Sequence, residues 1–397
     1  LITMSRYRLL PTPVQVAGLL EHARQARFVW NLAVEQHAYR RPGGGAAPGY
    51  FEQARQLTEA RAEFAWLRAG SVTVQQQALR DFAQAMRNFF AGTTRQPSWR
   101  KAGRDEGFRQ VAVKPDHVQR LGRKAGRAWV PKVGWVRFRW SRVVPGGVKS
   151  YRITRDAAHR WHLAFAAVPD PIPAPGNGAV VGVDRGVVVS AALSTGELLV
   201  VPPLTAGERR RLLRLQRKFA RCVPGSRRRA NVKAAIAKLK ARERDRRKDW
   251  VEKTSTELAR RFDVIRIENL DVTSMTRSAR GTRERPGVHV PSKAGLNRGI
   301  LASGWGLLAT RLEHKAAGRV EKTKAAYTSQ TCSVCGHRAS ENRKSQAVFR
   351  CVACGHRANA DVNAARNIAA GQAVAARGDL GNSRSAKREP HLSTSLA

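Results

Sequence analysis

Four cysteines, Cys332, Cys335, Cys351 and Cys354, form two CxxC pairs fifteen residues apart, and Asp361 follows the last of them by seven positions in the string ADVNAARNI. Thiolates at this spacing can close a tetrahedron around zinc, and Gly336 and Gly355 follow the pairs where a tight knuckle needs a permissive backbone. Four sulfur ligands leave no position for water, so the zinc expected here is structural. Three acids offer a different chemistry. Asp184 and Glu268 end the apolar runs VVGVD and VIRIE, and Asp361 opens a helical pattern. Hard oxygen donors gathered from such positions suit magnesium, which activates water on one side of a phosphodiester and stabilises the leaving oxygen on the other. Taken singly, each acid also reads as a surface or helix-capping residue. Together, and without cations, three packed carboxylates would repel, so the set points to bound metal. Asn363 and Asn367 lie two and six residues beyond Asp361 on the same helix, where orienting that acid, touching substrate, capping and simple exposure are all open. Cys222 and the ten histidines form no second constellation, and His337 and His356 are superfluous beside four thiolates.

The elements that must position these residues follow from the apolar spacing. Helical periodicity runs from Pro13 to about Tyr39, breaks at RPGGGAAPG and resumes from Phe51 to about Phe90. From Phe108 to Val168, short alternating runs separated by Gly and Pro predict antiparallel strands in a small barrel, with Arg and Lys interleaved among Trp and Phe on its exposed faces. PDPIPAPGNG, residues 169–178, reads as a linker. Residues 180–184, 187–193 and 197–201 predict a three-stranded meander, and 264–268 another strand. Between Glu208 and Lys248, eighteen Lys or Arg face three acids in two helical stretches broken at Pro224-Gly225, an imbalance that suits a phosphate backbone. Residues 271–299 read as a polar loop, Ile300 to Lys315 as a helix, and the text after Gly371 as an unstructured tail.

The whole chain has 397 residues, 73 Lys and Arg against 29 Asp and Glu, and a formal net charge of +44. Such a field calls for a polyanion, and nucleic acid fits better than membrane because no run of eighteen apolar residues exists. Four cysteines committed to one metal and one left over fit a reducing compartment, so a cytoplasmic, nucleoid-associated bacterial protein is expected. LITMSRYRLL lacks the pattern of a secretory signal, and Met4 leaves the start of translation open.

The segments YRLLPTPVQ, RFVWNLAVE, QPSWRKAGRDEGFR, PKVGWVRFRW, VVGVDRGV, IRIENL, SGWGLLATRLEHKA, YTSQTCSVCGH and CVACGHRANADVNAARNI resemble the transposon-encoded TnpB proteins, relatives of the miniature type V CRISPR nucleases, nearly end to end. The resemblance implies a multidomain α/β protein with an RNase H-like, RuvC-type nuclease domain split in sequence (179–325 and 359–372) and carrying an inserted zinc ribbon (326–358). A β-barrel wedge domain (1–10 and 91–172) with a helical recognition insertion (11–90) would precede it, and a tail (373–397) would follow. By the family pattern Asp184, Glu268 and Asp361 would bind catalytic magnesium, and Cys332, Cys335, Cys351 and Cys354 would hold structural zinc in a part that binds target nucleic acid. The partners implied are a guide RNA from the transposon end, one protein per RNA, and double-stranded target DNA cut beside a short flanking motif. Arg185 stands where the family most often has an apolar residue, and it is expected to face a turn and leave the metal site intact. The loop around 276–292 looks longer and richer in Arg than in compact relatives. Three rival readings are a miniature type V CRISPR effector, a guided DNA-binding repressor without cleavage, and a strand-transferring transposase; the last lacks any tyrosine or serine recombinase signature.

Overall fold

A computed structural model describes residues 3–38, 47–167, 170–324 and 326–371. The expected tail lies outside the described residues, as do the glycine break after the first helix and the first residue of the 169–178 linker. Contacts divide the chain into two compact units, one of residues 1–171 and 202–248, the other of 172–201 and 249–397.

The first unit begins with β1 (Thr3–Arg8), followed by the helices α1 (Pro13–Ala38), α2 (Tyr50–Glu63), α3 (Ala65–Arg68) and α4 (Val72–Phe90). Pro13 starts α1 in the first turn, where its missing N–H would have no intrahelical partner, and the Ser71 hydroxyl accepts from the Val74 N–H to cap α4. The strands β2 (Gly107–Val111), β3 (Val118–Arg120), β4 (Ala125–Val130), β5 (Gly134–Arg139), β6 (Ser150–Arg155) and β7 (Trp161–Ala167) form two antiparallel sheets, ordered β1-β7-β6-β2 and β3-β4-β5. A bridge from Leu9 to Phe138 joins them. Alternate residues Tyr7, Leu163, Phe165, Tyr151 and Ile153 face inward and share one core with Leu19, Val29, Val74 and Phe82 from the helices. Strand alternation puts Arg6, Arg8 and His162 on the other face.

The basic helices α5 (Ala206–Ala220) and α6 (Arg227–Arg261) flank the Pro224-Gly225 break. A capping box starts α5: the Thr205 hydroxyl accepts from the Glu208 N–H while the Glu208 carboxylate accepts from the Thr205 N–H. Residues 202–248 group with the first unit, although the sequence expectation counted them inside the 179–325 span.

The second unit is built on a mixed sheet of β8 (Val180–Asp184), β9 (Ala191–Leu193), β10 (Leu198–Leu199), β11 (Val264–Glu268) and β12 (Val320–Thr323), in the order β10-β9-β8-β11-β12. The expected meander forms, with shorter second and third strands, and β11 lies parallel to both β8 and β12. Val181, Val183, Ile265 and Ile267 bury their side chains against Val251, Leu258, Leu308 and Leu312. The expected 271–299 loop persists over 276–289 but is helical at both ends: α7 (Val272–Met275) caps on Asp271, and α8 (Val290–Ser303) begins ten residues before the predicted start. Pro291 in its first turn is compatible with helix initiation, which makes the polar text a helix entry. Gly304, at φ 75°, separates α8 from α9 (Trp305–Lys315), so the single predicted helix is two. The ribbon pairs β13 (Val348–Arg350) with β14 (Arg357–Asn359), and α10 (Ala360–Ala369) follows directly.

Candidate active site and metal centre

The two knuckles of the ribbon use the same local geometry twice. The Cys332 N–H donates to His337 O at 2.9 Å and the Gly336 N–H to Cys332 O at 3.0 Å; Cys351 donates to His356 O at 2.9 Å and Gly355 to Cys351 O at 3.1 Å. Gly336 and Gly355 take φ of 76° and 74°, a region where a side chain would be strained. Both histidines therefore contribute main-chain carbonyls to the knuckles. Asn342, fully buried, ties the halves together: its amide donates to Gln330 O and His337 O, and its oxygen accepts from the Val352 N–H.

The four Sγ atoms lie within 4.8 Å of one another, with Cys332 to Cys354 at 3.8 Å and Cys335 to Cys351 at 3.5 Å. Zinc with bonds of about 2.3 Å in a tetrahedron sets its sulfurs about 3.8 Å apart, so the donor set and spacing fit that ion. The Cys354 N–H leads in pulling the Cys351 thiol down to about 6. The His337 N–H draws Cys335 down too, but bonds to the other thiols, Cys354 first, and burial push it up to about 12. Four sulfurs this close cannot all hold independent protons, a further mark of a cation site.

The acids are positioned by long-range pairing. Ile267 lies opposite Val183 in the parallel ladder, so Glu268 and Asp184 follow side by side and project from one face. Gly182 and Arg266 are on that face, and both meet α10. A Cβ on Gly182 would lie 2.0 Å from Ala365 O, and Arg266 Nη1 donates to Ala369 O at 2.5 Å. The helix that Asp361 opens thus lies flat on the face from which Asp184 and Glu268 project. Asn359 caps it, accepting from the N–H groups of Asp361 and Val362. Glu268 is buried, Asp184 and Asp361 are half-buried. Among the described residues, the one set of three or more metal-ligand side chains with donor atoms within 4.8 Å is the cysteine group, so the three carboxylates share the face without closing to that distance.

Arg185, Thr328, Asn363 and Asn367 complete this face, and of these only Thr328 carried no expectation from the sequence. Arg185 is buried rather than turned toward a loop: Nη2 donates to Glu268 O and Nη1 to Trp305 O at 3.4 Å. Burial lowers its pKa, while the charges of Glu268 and then Asp184 hold it up, so this chain carries its own cation beside the strand-end acids. The Thr328 hydroxyl donates to Glu268 Oε1 at 3.4 Å. Burial raises the pKa of Asp361, and Arg343 of the ribbon, 3.6 Å away, opposes that shift. Asn363 and Asn367 are neither caps nor exposed. Their buried amides donate to Thr331 O, Asn367 also to Thr328 O, and Asn363 Oδ1 accepts from the Ser333 N–H. They fasten the ribbon to α10, and Ala360 shares a small core with Cys332, Phe349 and Cys351. Ribbon and acid-bearing helix are therefore one packed piece. Only an Asn at a helix interior hints at such a role in the sequence, since an amide there usually needs a reason.

Family profiles match three stretches: a helix-turn-helix domain (HTH_OrfB_IS605) over residues 3–43, OrfB_IS605, described as a probable transposase, over 163–279, and the Cas12f1-like TNB domain over 305–368. The described part of the first stretch holds β1 and α1, one strand and one helix. A protein of Escherichia coli (strain K12) named "Putative RNA-guided DNA endonuclease InsQ" is 36% identical over 97% of this chain and 96% of its own length. The chain belongs to the TnpB family. A "Putative RNA-guided DNA endonuclease" of Streptomyces pristinaespiralis is 31% identical over 94% of the chain and 90% of its own length. In architecture the chain resembles Cas12f1 solved in a Cas12f1-sgRNA-target DNA complex, with a TM-score of 0.52 over 89% of this chain and 82% of that one, at 13% identity. That likeness shows a multidomain α/β fold of the Cas12f kind. Among the described residues no helix is long and apolar enough to cross a membrane.

Proposed function

We propose that this protein is the RNA-guided DNA endonuclease of a transposon, in which a guide RNA from the element's end pairs with target DNA and a RuvC-type centre hydrolyses the phosphodiester. The observation that carries the proposal is the parallel register that sets Asp184 beside Glu268 on the face covered by the Asp361 helix, in a chain related over nearly its whole length to a protein named for that activity. Asp184, Glu268 and Asp361 would hold magnesium. The fit rests on the donor set: magnesium takes hard oxygens and is commonly held by one or two carboxylates, with waters and substrate phosphates completing its shell, so three protein oxygens need not converge beforehand. Bound there, the metal supplies a water polarised for attack and charge for the leaving oxygen.

The chain's own residues do the rest. Arg185 fixes the end of β11 through Glu268 O and offsets the repulsion of the two strand-end carboxylates. Thr328 orients the Glu268 carboxylate. Asn363 and Asn367 hold the ribbon against α10, so that a nucleic acid gripped by the ribbon is registered to Asp361. The zinc ribbon serves as the target-binding insert, and the basic helices α5 and α6 take the guide-target backbone, which offsets much of the +44 charge.

The test is to purify the protein with RNA transcribed from the flanking end of its element and offer matched duplex DNA with magnesium. Wild type should cut it, and Asp184→Ala should bind the target without cutting. Equal cutting by Asp184→Ala would remove these acids from the mechanism, and protection without cutting by wild type would favour a guided repressor.

A further inference from the structure

We infer that Arg6, Arg8, Arg244 and Lys248 form a phosphate subsite that grips one phosphodiester of a polynucleotide backbone on the outer face of the β1-β7-β6-β2 sheet. The inference rests on the nucleic-acid reading above but names a site apart from the acids. Arg8 lies opposite His162 and Arg6 opposite Ala164, on the face turned from the Tyr7 and Leu163 core. The α6 segment around Arg244 lies against this face, with Arg244 Nη2 3.2 Å from Asp156 Oδ2 and Arg160 Nη1 2.6 Å from Asp245 Oδ2.

Two carboxylates sit here, and both are already engaged. Asp156 accepts from Arg160 at 2.9 Å, His162 at 3.1 Å and Arg244; Asp245 accepts from Arg160. Five cations, Arg6, Arg8, Arg160, Arg244 and Lys248, stand against these two acids. Three buried guanidinium nitrogens, Arg6 Nε, Arg8 Nη1 and Arg244 Nε, meet no hydrogen-bond acceptor among the described residues. Burial first, and then neighbouring cations, lower the pKa of Arg6, Arg8 and Lys248. His162 is drawn down to about 4 by burial and Arg6 despite its contact with Asp156, so at neutral pH it is an uncharged donor to that carboxylate.

A desolvated, unsatisfied donor is costly, and a surplus of cations multiplies the cost unless an anion completes the site. Several planar guanidinium forks and one ammonium, brought near one another by a strand and a helix, suit a tetrahedral phosphate better than a single planar carboxylate. The groove at the α5–α6 turn, lined by Lys218, Arg221, Ser226 and Arg228, offers only outward-facing charge that water and salt can satisfy.

The experiment compares full-length wild type with Arg8→Gln, Arg244→Gln and, as a charge-matched control on a distant helix, Arg55→Gln. Inorganic phosphate should raise the melting temperature of wild type relative to chloride at equal ionic strength, and shift the His162 ring resonances as the nearby anion raises its pKa. Both effects should vanish in Arg8→Gln and Arg244→Gln, whose own melting temperatures should equal or exceed wild type because a surplus cation is gone. Affinities for a guide RNA and for a DNA duplex of about 20 base pairs, measured across salt concentrations, identify the source. Loss of about tenfold with the salt slope reduced by about one, for the RNA alone, assigns the phosphate to the guide, and the same loss for DNA alone assigns it to the target. Destabilised variants with unchanged RNA and DNA affinity, or phosphate protection equal in all four proteins, would overturn the site. Phosphate protection does not depend on cleavage, so a protein that fails to cut DNA but shows it would refute the guided-nuclease reading and leave this subsite standing.

Discussion

Gly182→Ala should be among the most damaging single-methyl changes in the second unit. Its Cβ would sit 2.0 Å from Ala365 O, 2.4 Å from Ala369 N and 2.9 Å from Ala369 Cα, all backbone of α10, which no rotamer change can relieve. Reaching an ordinary contact of 3.4 Å requires about 1.4 Å of separation between β8 and α10. Overpacking of this kind costs about 1–3 kcal/mol, and a displacement of about 1 Å between catalytic groups can cost about a hundredfold in rate. The helix that must move carries Asp361, while the strand carries Asp184 two residues beyond the glycine. The expected phenotype is therefore lower stability together with DNA cleavage reduced about a hundredfold or more, with guide-RNA binding close to wild type. Thermal unfolding, RNA binding and single-turnover cleavage by the guide-loaded protein separate these effects. Cleavage within twofold of wild type would show that α10 does not set the geometry of the acids.

Cys332→Ser should release the metal, lower stability and also slow cleavage, because Cys332 and Ala360 share one small core beside Asp361; metal analysis that still finds one zinc per chain would refute the four-thiolate site. Asp361→Asn should abolish cutting yet equal or exceed wild type in stability at pH 7. Burial raises the carboxyl pKa, so ionising it in the folded protein opposes folding as pH rises through that range; a clear loss of stability on calorimetry would contradict this. Asn367→Ala strips hydrogen bonds from Thr328 O and Thr331 O and should cost about 1–3 kcal/mol, read by denaturant unfolding; an unchanged midpoint would show that the amide does not fasten the ribbon. His162 binds its proton less tightly folded, at about 4, than free, at about 6.5. The unfolded chain therefore gains protons first as pH falls, and stability should decline across that window by about 3 kcal/mol at most. His162→Gln should flatten this acid limb in urea titrations at several pH values, and an unchanged limb would place the titrating group elsewhere.

Local pattern and tertiary packing divided the information unequally. Two CxxC pairs followed by glycines specify their knuckles because every hydrogen bond in a knuckle spans only a few residues, and the structure brings the four sulfurs together. The strand ending at Glu268 and the helix opened by Asp361 were equally legible, since apolar period and flanking polar residues are local signals. The sequence also determined the polyanion-seeking charge and the break at Pro224-Gly225. What it could not specify depends on partners remote in the chain. The parallel pairing of β8 with β11 joins residues more than eighty positions apart, and the seat of α10 on Gly182 joins residues more than 180 apart. Whether Arg185 pointed to solvent or lay under Glu268 O depended on the neighbouring strand that supplies the acceptor. For Asn363 and Asn367, orienting the acid, touching substrate, capping and exposure all stayed open until packing brought Thr328 and Thr331 onto them. Alternation put Arg6 and Arg8 on one side of β1, but only the arrival of α6 turned that side into a pocket of unsatisfied cations. The physical reason is common to all of these: propensity and capping act within a turn or a strand, whereas burial, register and the pairing of charges are settled by which distant segments share a face.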